Sequence, residues 1–104
     1  MPPLVPPDDI EAVARRFRLL GEPVRLELLN ALYAEGKMSV GDLVDATGQR
    51  QANVSKHLKR MAEEDLLRRE KEGVYVYYAL DDPTLAALCQ LVRARLQGEL
   101  PADA

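Results

Sequence analysis

Apolar residues recur at intervals of three and four along most of this chain, a period that predicts amphipathic helices. A first helix is expected to run from Asp8 or Asp9, either of which can cap it, to about Leu20. A second helix, apolar on most sides, occupies residues 22–35 and is the candidate for the central core helix. A last helix is expected over residues 81–97. In the first helix, three cations fall outside the apolar stripe: Arg15, Arg16 and Arg18.

Residues 39–61 predict two short helices joined by a tight turn. Ser39, followed three residues later by Asp42, has the spacing of a capping box at the start of the first of these helices. Thr47-Gly48 marks the break, because glycine enters positive φ without steric cost. The second of these helices should start near Arg50 or Gln51, and three of its apolar residues share one face that must be buried: Val54, Leu58 and Met61.

The opposite face of this second short helix is polar and carries no acid before Glu63. Amides and guanidinium groups can pair with purine edges in the major groove of DNA, while Lys, Arg and Ser can hold phosphates. The pattern is typical of a helix-turn-helix, although a merely solvated helix surface would also be charged. The candidate DNA-contacting residues on this helix are Arg50, Gln51, Asn53, Ser55, Lys56, Lys59 and Arg60.

Residues 67–80 predict a β-hairpin around Glu72-Gly73, because β-branched and aromatic residues follow the turn. A hairpin after a helix-turn-helix makes a winged helix, whose wing can lie along phosphates or in a minor groove. Cross-strand packing alone would also account for the tyrosines of the second strand. We assign one face of that strand to the core: Val74, Val76, Tyr78 and Leu80. The tip then projects three candidate DNA-contacting residues outward: Arg69, Lys71 and Tyr75.

The expected fold is mainly α with a small β-hairpin, a winged helix-turn-helix of about five helices and a two- or three-stranded wing, to which Lys37-Met38 could add a brief strand. Both terminal helices carry more apolar surface than a small domain requires, which favours a two-fold dimer built from both. Such a dimer would place two recognition helices roughly 34 Å apart, matching successive major grooves. The expected interface residues are Ile10, Val13, Phe17, Leu85, Leu88, Cys89, Val92 and Leu96.

The length of 104 residues predicts one domain. We expect a disordered Pro-rich tail over residues 1–7, the winged helix-turn-helix and dimerisation domain over 8–97, and a flexible tail over 98–104. The formal net charge of −3 is unusual for a DNA-binding protein, but residues 49–61 sum to +4 from four cations and no acid. Without a membrane-length apolar run or a secretory signal, we expect a cytoplasmic protein with no membrane partner.

The order of these elements resembles the ArsR/SmtB family of bacterial winged-helix repressors, over residues 10–96. The resemblance is most specific in residues 19–29 (LLGEPVRLELL), in residues 51–59 (QANVSKHLK) and in the wing with Gly73 and Tyr77-Tyr78. It implies a homodimer on an inverted-repeat operator in double-stranded DNA, blocking transcription until an inducer weakens binding. Asp65 departs from the glycine that the family often has at this helix end. The DNA-reading positions that the resemblance implies are Gln51, Asn53, Ser55, Lys56, Lys59 and Lys71.

Many members of this family sense metals, but the ligand positions of the two best-known sites are not kept. Ser39 and Gly41 stand where the arsenic- and cadmium-type sensors have thiolates. The four positions of the zinc-type site read Asp82, Thr84, Arg95 and Gly98, of which only the first is a ligand. We therefore expect no metal at these sites and no cofactor. An undescribed site, a small organic inducer, redox control or no inducer at all remain as alternatives.

Two single residues have both a structural and a functional interpretation. His57, the one histidine, lies on the shoulder of the buried helix face and fits a structural or phosphate-neighbouring role better than metal binding or pH sensing. Cys89, the one cysteine, fits a small buried hydrophobe, or alternatively a redox-active thiol that would make the protein a redox-responsive repressor. A single cysteine excludes a disulfide within one chain.

An enzyme is not expected from this sequence. It has no Gly-rich phosphate loop, and Ser55 and His57 cannot form a nucleophile–base pair because residues two apart on a helix point about 200° apart. The main hypothesis is a DNA-binding transcriptional repressor. The alternative from another class is a winged-helix module that binds protein, which the acidic total charge and the surplus apolar surface would favour.

Overall fold

The computed structural model describes residues 1–100, so the last four residues of the predicted tail lie outside the described residues. A short 3₁₀ turn, Pro7–Asp9, leads into the first helix. Within residues 1–100 the elements follow in the order α1 (Ile10–Leu20), α2 (Pro23–Glu35), β1 (Lys37–Met38), α3 (Val40–Thr47), α4 (Gln51–Glu63), β2 (Leu67–Glu72), β3 (Tyr75–Leu80) and α5 (Thr84–Leu96). The prediction of five helices with a small wing is confirmed.

The start of α1 differs from the prediction. Asp9 occupies the N-cap position, but its side chain accepts no hydrogen bond from the helix. The chain instead enters α1 from the 3₁₀ turn, in which the Asp9 amide donates to the Pro6 carbonyl at 2.9 Å. Asp9 therefore holds the predicted N-cap position without the capping hydrogen bond, because its backbone is helical (φ −101°, ψ −7°) and not in the extended conformation that N-cap residues normally adopt.

The helix-turn-helix forms as its local chemistry requires. The Ser39 hydroxyl accepts from the Asp42 amide and the Asp42 carboxylate accepts from the Ser39 amide, which confirms the capping box. Gly48 ends α3 with φ of 72°, and α4 begins three residues later at Gln51. After α4, Asp65 adopts φ of 61°, the left-handed conformation that glycine would enter more easily.

The three strands form one antiparallel sheet in the order β1-β3-β2. Glu72 pairs with Tyr75, so Gly73 and Val74 form the two-residue turn of the wing, with Gly73 at φ of 62°. Val74 is 89% exposed at this tip, and the prediction that it belongs to the core face is wrong. The strand begins only at Tyr75, and the turn carries Val74 away from the helices.

The core lies where α2 meets the helix-turn-helix. Leu28 and Leu32 of α2 are fully buried with Leu43 of α3 and with the predicted inner face of α4, namely Val54, Leu58 and Met61. Each such side chain contributes roughly 1.5–3 kcal/mol through burial. This packing fixes the rotation of α4 about its own axis, and with it the side chains that face outward.

Arg16 does not project into solvent as predicted. Its guanidinium is paired with the Asp82 carboxylate at the start of α5 and donates to the Glu64 carbonyl at 2.8 Å. It therefore ties α1 to the end of α4 and to the last helix. Asp82 in turn accepts hydrogen bonds from the hydroxyl and the amide of Thr84, and these bonds, with Arg16, hold the pKa of its carboxyl below the usual value.

Candidate nucleic-acid interface

The outward face of α4 carries the residues that the sequence singled out. Because Val54, Leu58 and Met61 are completely buried, the helix has one possible orientation on the core. Asn53 is half-buried. The remaining candidate residues of this segment are exposed: Arg50, Gln51, Ser55, Lys56, Lys59 and Arg60.

The N-terminus of α4 lacks the side-chain cap that α3 possesses. Arg50 holds the N-cap position in an extended conformation and no acid lies in the first turn. The first-turn amides therefore have no side-chain acceptor, and the positive end of the helix dipole is not neutralised. An open cleft of about 580 Å³ lies here, lined by Gly48, Gln49, Arg50, Ala52, Asn53 and Lys56.

A hydrogen-bonded chain of side chains joins α2 to this cleft. The Gln49 side-chain amide donates to the Glu27 carboxylate at 2.6 Å, and the Gln49 side-chain oxygen accepts from the Asn53 amide at 3.4 Å. Sequence reasoning missed Glu27 and Gln49. Glu27 lies 22 residues before Gln49, and no local pattern marks the contact.

His57 faces inward from α4 and is only 8% exposed. Its Nδ1 accepts a hydrogen bond from Arg25 Nε at 3.3 Å, and the same guanidinium donates to the Leu19 carbonyl at the end of α1. Burial, with the nearby cations Arg25 and Lys56, lowers the pKa of His57 below its usual value. The observed contacts are those of the predicted structural role.

The alternation of β2 separates the charges of the wing onto two faces. Arg69 and Lys71 stand on the side of Val76 and Tyr78, which is the side that packs against the helices. Glu70 and Glu72 stand on the other side, opposite Tyr77 and Tyr75. Tyr75 is exposed, as expected, but it shares the acidic face and not the face of Arg69 and Lys71.

Ion pairs involve the cations of the acidic face and leave the other face unpaired. Lys37 binds Glu72 at 2.6 Å and lies over the Tyr77 ring, and Arg68 binds Glu70 at 2.7 Å. Within residues 1–100, none of the candidate DNA-facing cations forms a salt bridge: Arg50, Lys56, Lys59, Arg60, Arg69 and Lys71. The start and outward face of α4 and the helix side of the wing thus carry six cations that have no salt-bridge partner among the described residues.

A second surface, away from α4, is apolar. A groove of about 610 Å³ runs between α1, α2 and α5, and its lining includes Phe17, Leu26, Tyr33, Val92 and Leu96. Phe17 is 56% and Leu96 78% exposed. Leu26 and Tyr33 of α2 extend this surface beyond the terminal helices and were not among the predicted interface residues.

The predicted interface residues differ in their exposure. Ile10, Phe17, Val92 and Leu96 are exposed, whereas Val13, Leu88 and Cys89 are half-buried. Leu85 is only 4% exposed and packs in the core of its own subunit, where it forms part of the floor of this groove. It is the residue through which the first turn of α5 is anchored.

The chain matches known regulators in sequence. The sequence profile of the MarR family matches residues 22–74, which cover the helix-turn-helix and the first strand of the wing. The arsenical resistance operon repressor of Bacillus subtilis is 30% identical over 90 residues, which cover 82% of this chain and 86% of that protein. The chain belongs to the ArsR/SmtB family. Its winged-helix segment is the part that the MarR profile also describes.

Solved structures agree with this ArsR/SmtB assignment. The crystal structure of the antimony-specific transcriptional repressor AntR superposes with a TM-score of 0.81 at 28% identity, covering 94% of this chain and 88% of that one. A homodimeric winged helix-turn-helix DNA-binding domain from Mycobacterium bovis, solved by NMR, gives a TM-score of 0.76 at 26% identity, covering 97% and 94%. AntR is a transcriptional repressor and the Mycobacterium bovis domain is described as a possible ArsR-family transcriptional regulator, which favours the regulator hypothesis over a module that binds protein alone.

The described residues offer no evident metal site of the ArsR/SmtB kind. Within residues 1–100 no group of three or more His, Cys, Asp or Glu side chains is placed to hold a metal ion. Ser39, at one thiolate position, serves as the helix cap, and Asp82, at one zinc-type position, is occupied by Thr84 and Arg16. Within the same residues, every helix is too short or too polar to span a bilayer.

Proposed function

We propose that this chain is a homodimeric transcriptional repressor that binds an inverted-repeat operator in double-stranded DNA. The observation that carries the proposal is the segregation of charge. All six unpaired cations of α4 and of the helix side of the wing face outward, although the molecule as a whole has a net charge of −3. Such a local field supports phosphate binding, because screening confines the influence of the distant acids.

The recognition helix of the proposal is α4. Its uncapped N-terminus and Arg50 would receive a phosphate, as helix N-termini do, and would thereby set the register on the duplex. Gln51 and Asn53, in the first turn, carry the amides suited to base edges in the major groove. Four further residues along the exposed face would hold the flanking backbone: Ser55, Lys56, Lys59 and Arg60.

In the wing, Arg69 and Lys71 would contact the backbone beside the major groove. They lie on the sheet face that is directed to the helices, and the ion pairs on the opposite face stiffen the hairpin. Tyr75 lies on that opposite face, so we assign it a smaller part in DNA binding than the two cations.

The apolar groove supports the proposed dimer. In the single subunit Phe17 is 56%, Tyr33 60% and Leu96 78% exposed, so this apolar surface has no cover among the described residues. We propose the exposed apolar residues of α1 and α5, with Leu26 and Tyr33, as the interface. Two-fold pairing would set the recognition helices about 34 Å apart.

The proposal is tested by anisotropy titration of the protein against the DNA upstream of its own reading frame. The first prediction is that Gln51→Ala with Lys56→Ala lowers specific affinity by about 100-fold, since each lost base or phosphate contact costs about 1–3 kcal/mol. Both side chains are exposed, so the fold should be unchanged by circular dichroism.

The matched control is Arg15→Ala, which removes one exposed cation from α1, outside the helix-turn-helix. It should bind the same DNA within about twofold of the unaltered protein, because it lies away from the proposed contact face. Absence of salt-sensitive, sequence-specific binding by the unaltered protein, or equal losses in the control, would contradict the proposed function.

A further inference from the structure

Glu27 of α2 reaches the helix-turn-helix from outside it. Its carboxylate Oε2 accepts from Gln49 Nε2 at 2.6 Å, and Gln49 Oε1 accepts from Asn53 Nδ2 at 3.4 Å. The backbone of Gln49 is held as well, because its amide donates to Thr47 Oγ1 at 3.3 Å. A side chain on the core helix is thus connected by two hydrogen bonds to a residue of the recognition helix.

These two hydrogen bonds fix which way the side-chain amides of Gln49 and Asn53 point. A carboxylate can only accept hydrogen bonds, so the nitrogen of the Gln49 amide must face Glu27 and its oxygen must face Asn53. That oxygen can also only accept, so the nitrogen of Asn53 must face Gln49. Without the carboxylate, a half-turn of either amide would exchange donor and acceptor.

The outward edge of Asn53 is determined by this arrangement. One N–H of its amide is directed to Gln49, which leaves the second N–H and the Oδ1 lone pairs for the open cleft in front of α4. A donor beside an acceptor is the pattern that complements N7 and N6 of adenine in the major groove.

We infer that Glu27 is a specificity-determining residue, which acts through Gln49 to make Asn53 select adenine in the operator. The inference rests on the proposed DNA-binding function and deepens it by assigning one base contact and the residue that orients it. Glu27 touches no DNA in this scheme, and it is a positioning residue.

The Glu27 carboxylate has a second effect on DNA binding that does not depend on base sequence, and the test must separate it from the orientation of Asn53. Its negative charge opposes phosphate binding, so its removal should raise affinity for every duplex alike. Only the ratio between a matched and a substituted duplex reports the orientation of Asn53. The matched control is Glu35→Ala, which removes an acid from the same helix. Within residues 1–100 the Glu35 side chain makes no hydrogen bond or salt bridge.

The experiment begins with a randomised 30-base-pair duplex pool, from which the unaltered protein selects its preferred site. Affinities of the unaltered protein, Glu27→Ala and Glu35→Ala are then measured for that site and for every single base-pair change in it. In Glu27→Ala, the preference for A·T at one position of each half-site should fall about tenfold, while the other positions keep their ratios. Glu35→Ala should keep the affinity ratios of the unaltered protein at every position.

Three results would overturn the inference while the proposed function stands. These are unchanged ratios in Glu27→Ala, an equal fall in Glu35→Ala, or a fall spread over all positions. Failure of the unaltered protein to enrich any sequence would overturn the proposed function, and the inference with it.

A second measurement needs no DNA. In ¹⁵N-correlated NMR spectra of the free protein, Glu27→Ala should shift the side-chain amide signals of both Gln49 and Asn53, whereas Glu35→Ala should leave them in place. Unmoved Asn53 signals in Glu27→Ala would show that the carboxylate does not orient it, and would also overturn the inference.

Discussion

At the scale of single residues, Arg25 has the most connected position beside the recognition helix. Its guanidinium donates to the carbonyls of Arg18 and Leu19 at the end of α1 and to Nδ1 of His57 on α4. It thereby satisfies helix-end carbonyls that would otherwise lack partners and holds α4 against α2. His57 can accept this bond only while Nδ1 is unprotonated.

The second prediction concerns His57 and pH. Burial lowers its pKa in the folded protein below the usual 6.5, so the unfolded chain binds a proton at higher pH than the folded one does. The neutral histidine therefore contributes stability above about pH 6.5, and this contribution falls as the pH drops below that value. The neighbouring charges are Arg25, Lys56 and Arg60, which lower the pKa further, and Glu22, which opposes them.

We expect His57→Gln, which keeps an acceptor for Arg25 but does not titrate, to reduce the loss of thermal stability between pH 7.5 and 5.5. The measurement is the unfolding temperature against pH for both proteins. Curves that stay parallel over this range would show that His57 does not titrate differently in the folded and unfolded states. Replacement of the exposed Gln51 by Ala serves as a control that leaves the pH dependence unchanged.

Local chemistry made several residues predictable and left others hidden. The Ser39 and Asp42 capping box and the stop at Gly48 follow from neighbours within one helical turn. Gln49 could not be recognised, because its partner Glu27 lies on another helix and the hydrogen bond depends on how the two helices pack.

At the scale of elements, the wing shows how alternation distributes charge. Its first strand has three cations and two acids, and the sequence predicted that Arg69 and Lys71 project outward without indicating where the two acids lie. Pairing with β3 places Arg69 and Lys71 on one side and Glu70 and Glu72 on the other. Lys37 and Arg68 then neutralise the acidic side, so the wing presents a positive face despite its overall balance.

The third prediction tests this separation of charge. Lys71→Ala should reduce the salt dependence of DNA binding by about one unit of slope, because one phosphate contact and its released counterion are lost. Arg68→Ala removes an equal charge from the opposite face and should change the slope by much less. The measurement is log affinity against log salt concentration for both variants, and equal slope changes would contradict the assignment of the two faces.

The elements themselves were largely predictable, and their ends less so. Periodicity located every helix, because each carries apolar residues at helical spacing whether or not they are buried in the single subunit, and the aromatic run located the hairpin. The sequence misplaced Val74, since its alternation with Val76 continues into the turn, where the strand has already ended. The aspartate cap of α1 failed because the 3₁₀ turn Pro7–Asp9 is a feature of backbone geometry that no side-chain pattern marks.

At the scale of the whole molecule, two separate surfaces differ in chemical character. The face with α4 and the wing is polar and positively charged, and the groove between α1, α2 and α5 is apolar. The groove leaves several large apolar side chains exposed together, among them Phe17, Tyr33 and Leu96, which favours self-association. Mutations on the α4 face should therefore leave self-association intact, whereas mutations in the groove should affect both self-association and operator binding.

The fourth prediction is that Phe17→Glu and Leu96→Glu each convert the protein from a dimer to a monomer, because a charge would be buried in an apolar interface. Operator affinity should fall together with dimerisation, since each half-site alone loses the second recognition helix. The mass is measured by light scattering after size-exclusion chromatography, and binding by anisotropy.

Val74→Glu is the matched control, because it places the same charge at an exposed apolar residue outside the groove. It should remain dimeric. A monomeric unaltered protein at micromolar concentration, or dimeric Phe17→Glu and Leu96→Glu, would contradict the proposed interface.

The sequence by itself determined the helices, the turn between α3 and α4, and the side of α4 that must be buried. These depend on residues within one or two helical turns, where the chain's own spacing dictates which side chains meet. Only the tertiary structure decided that Leu85 lies in the core of its own subunit, that Arg16 ties α1 to α5, and that Glu27 reaches Gln49. Each of these contacts joins segments far apart in the chain, and its geometry is set by packing that no local pattern contains.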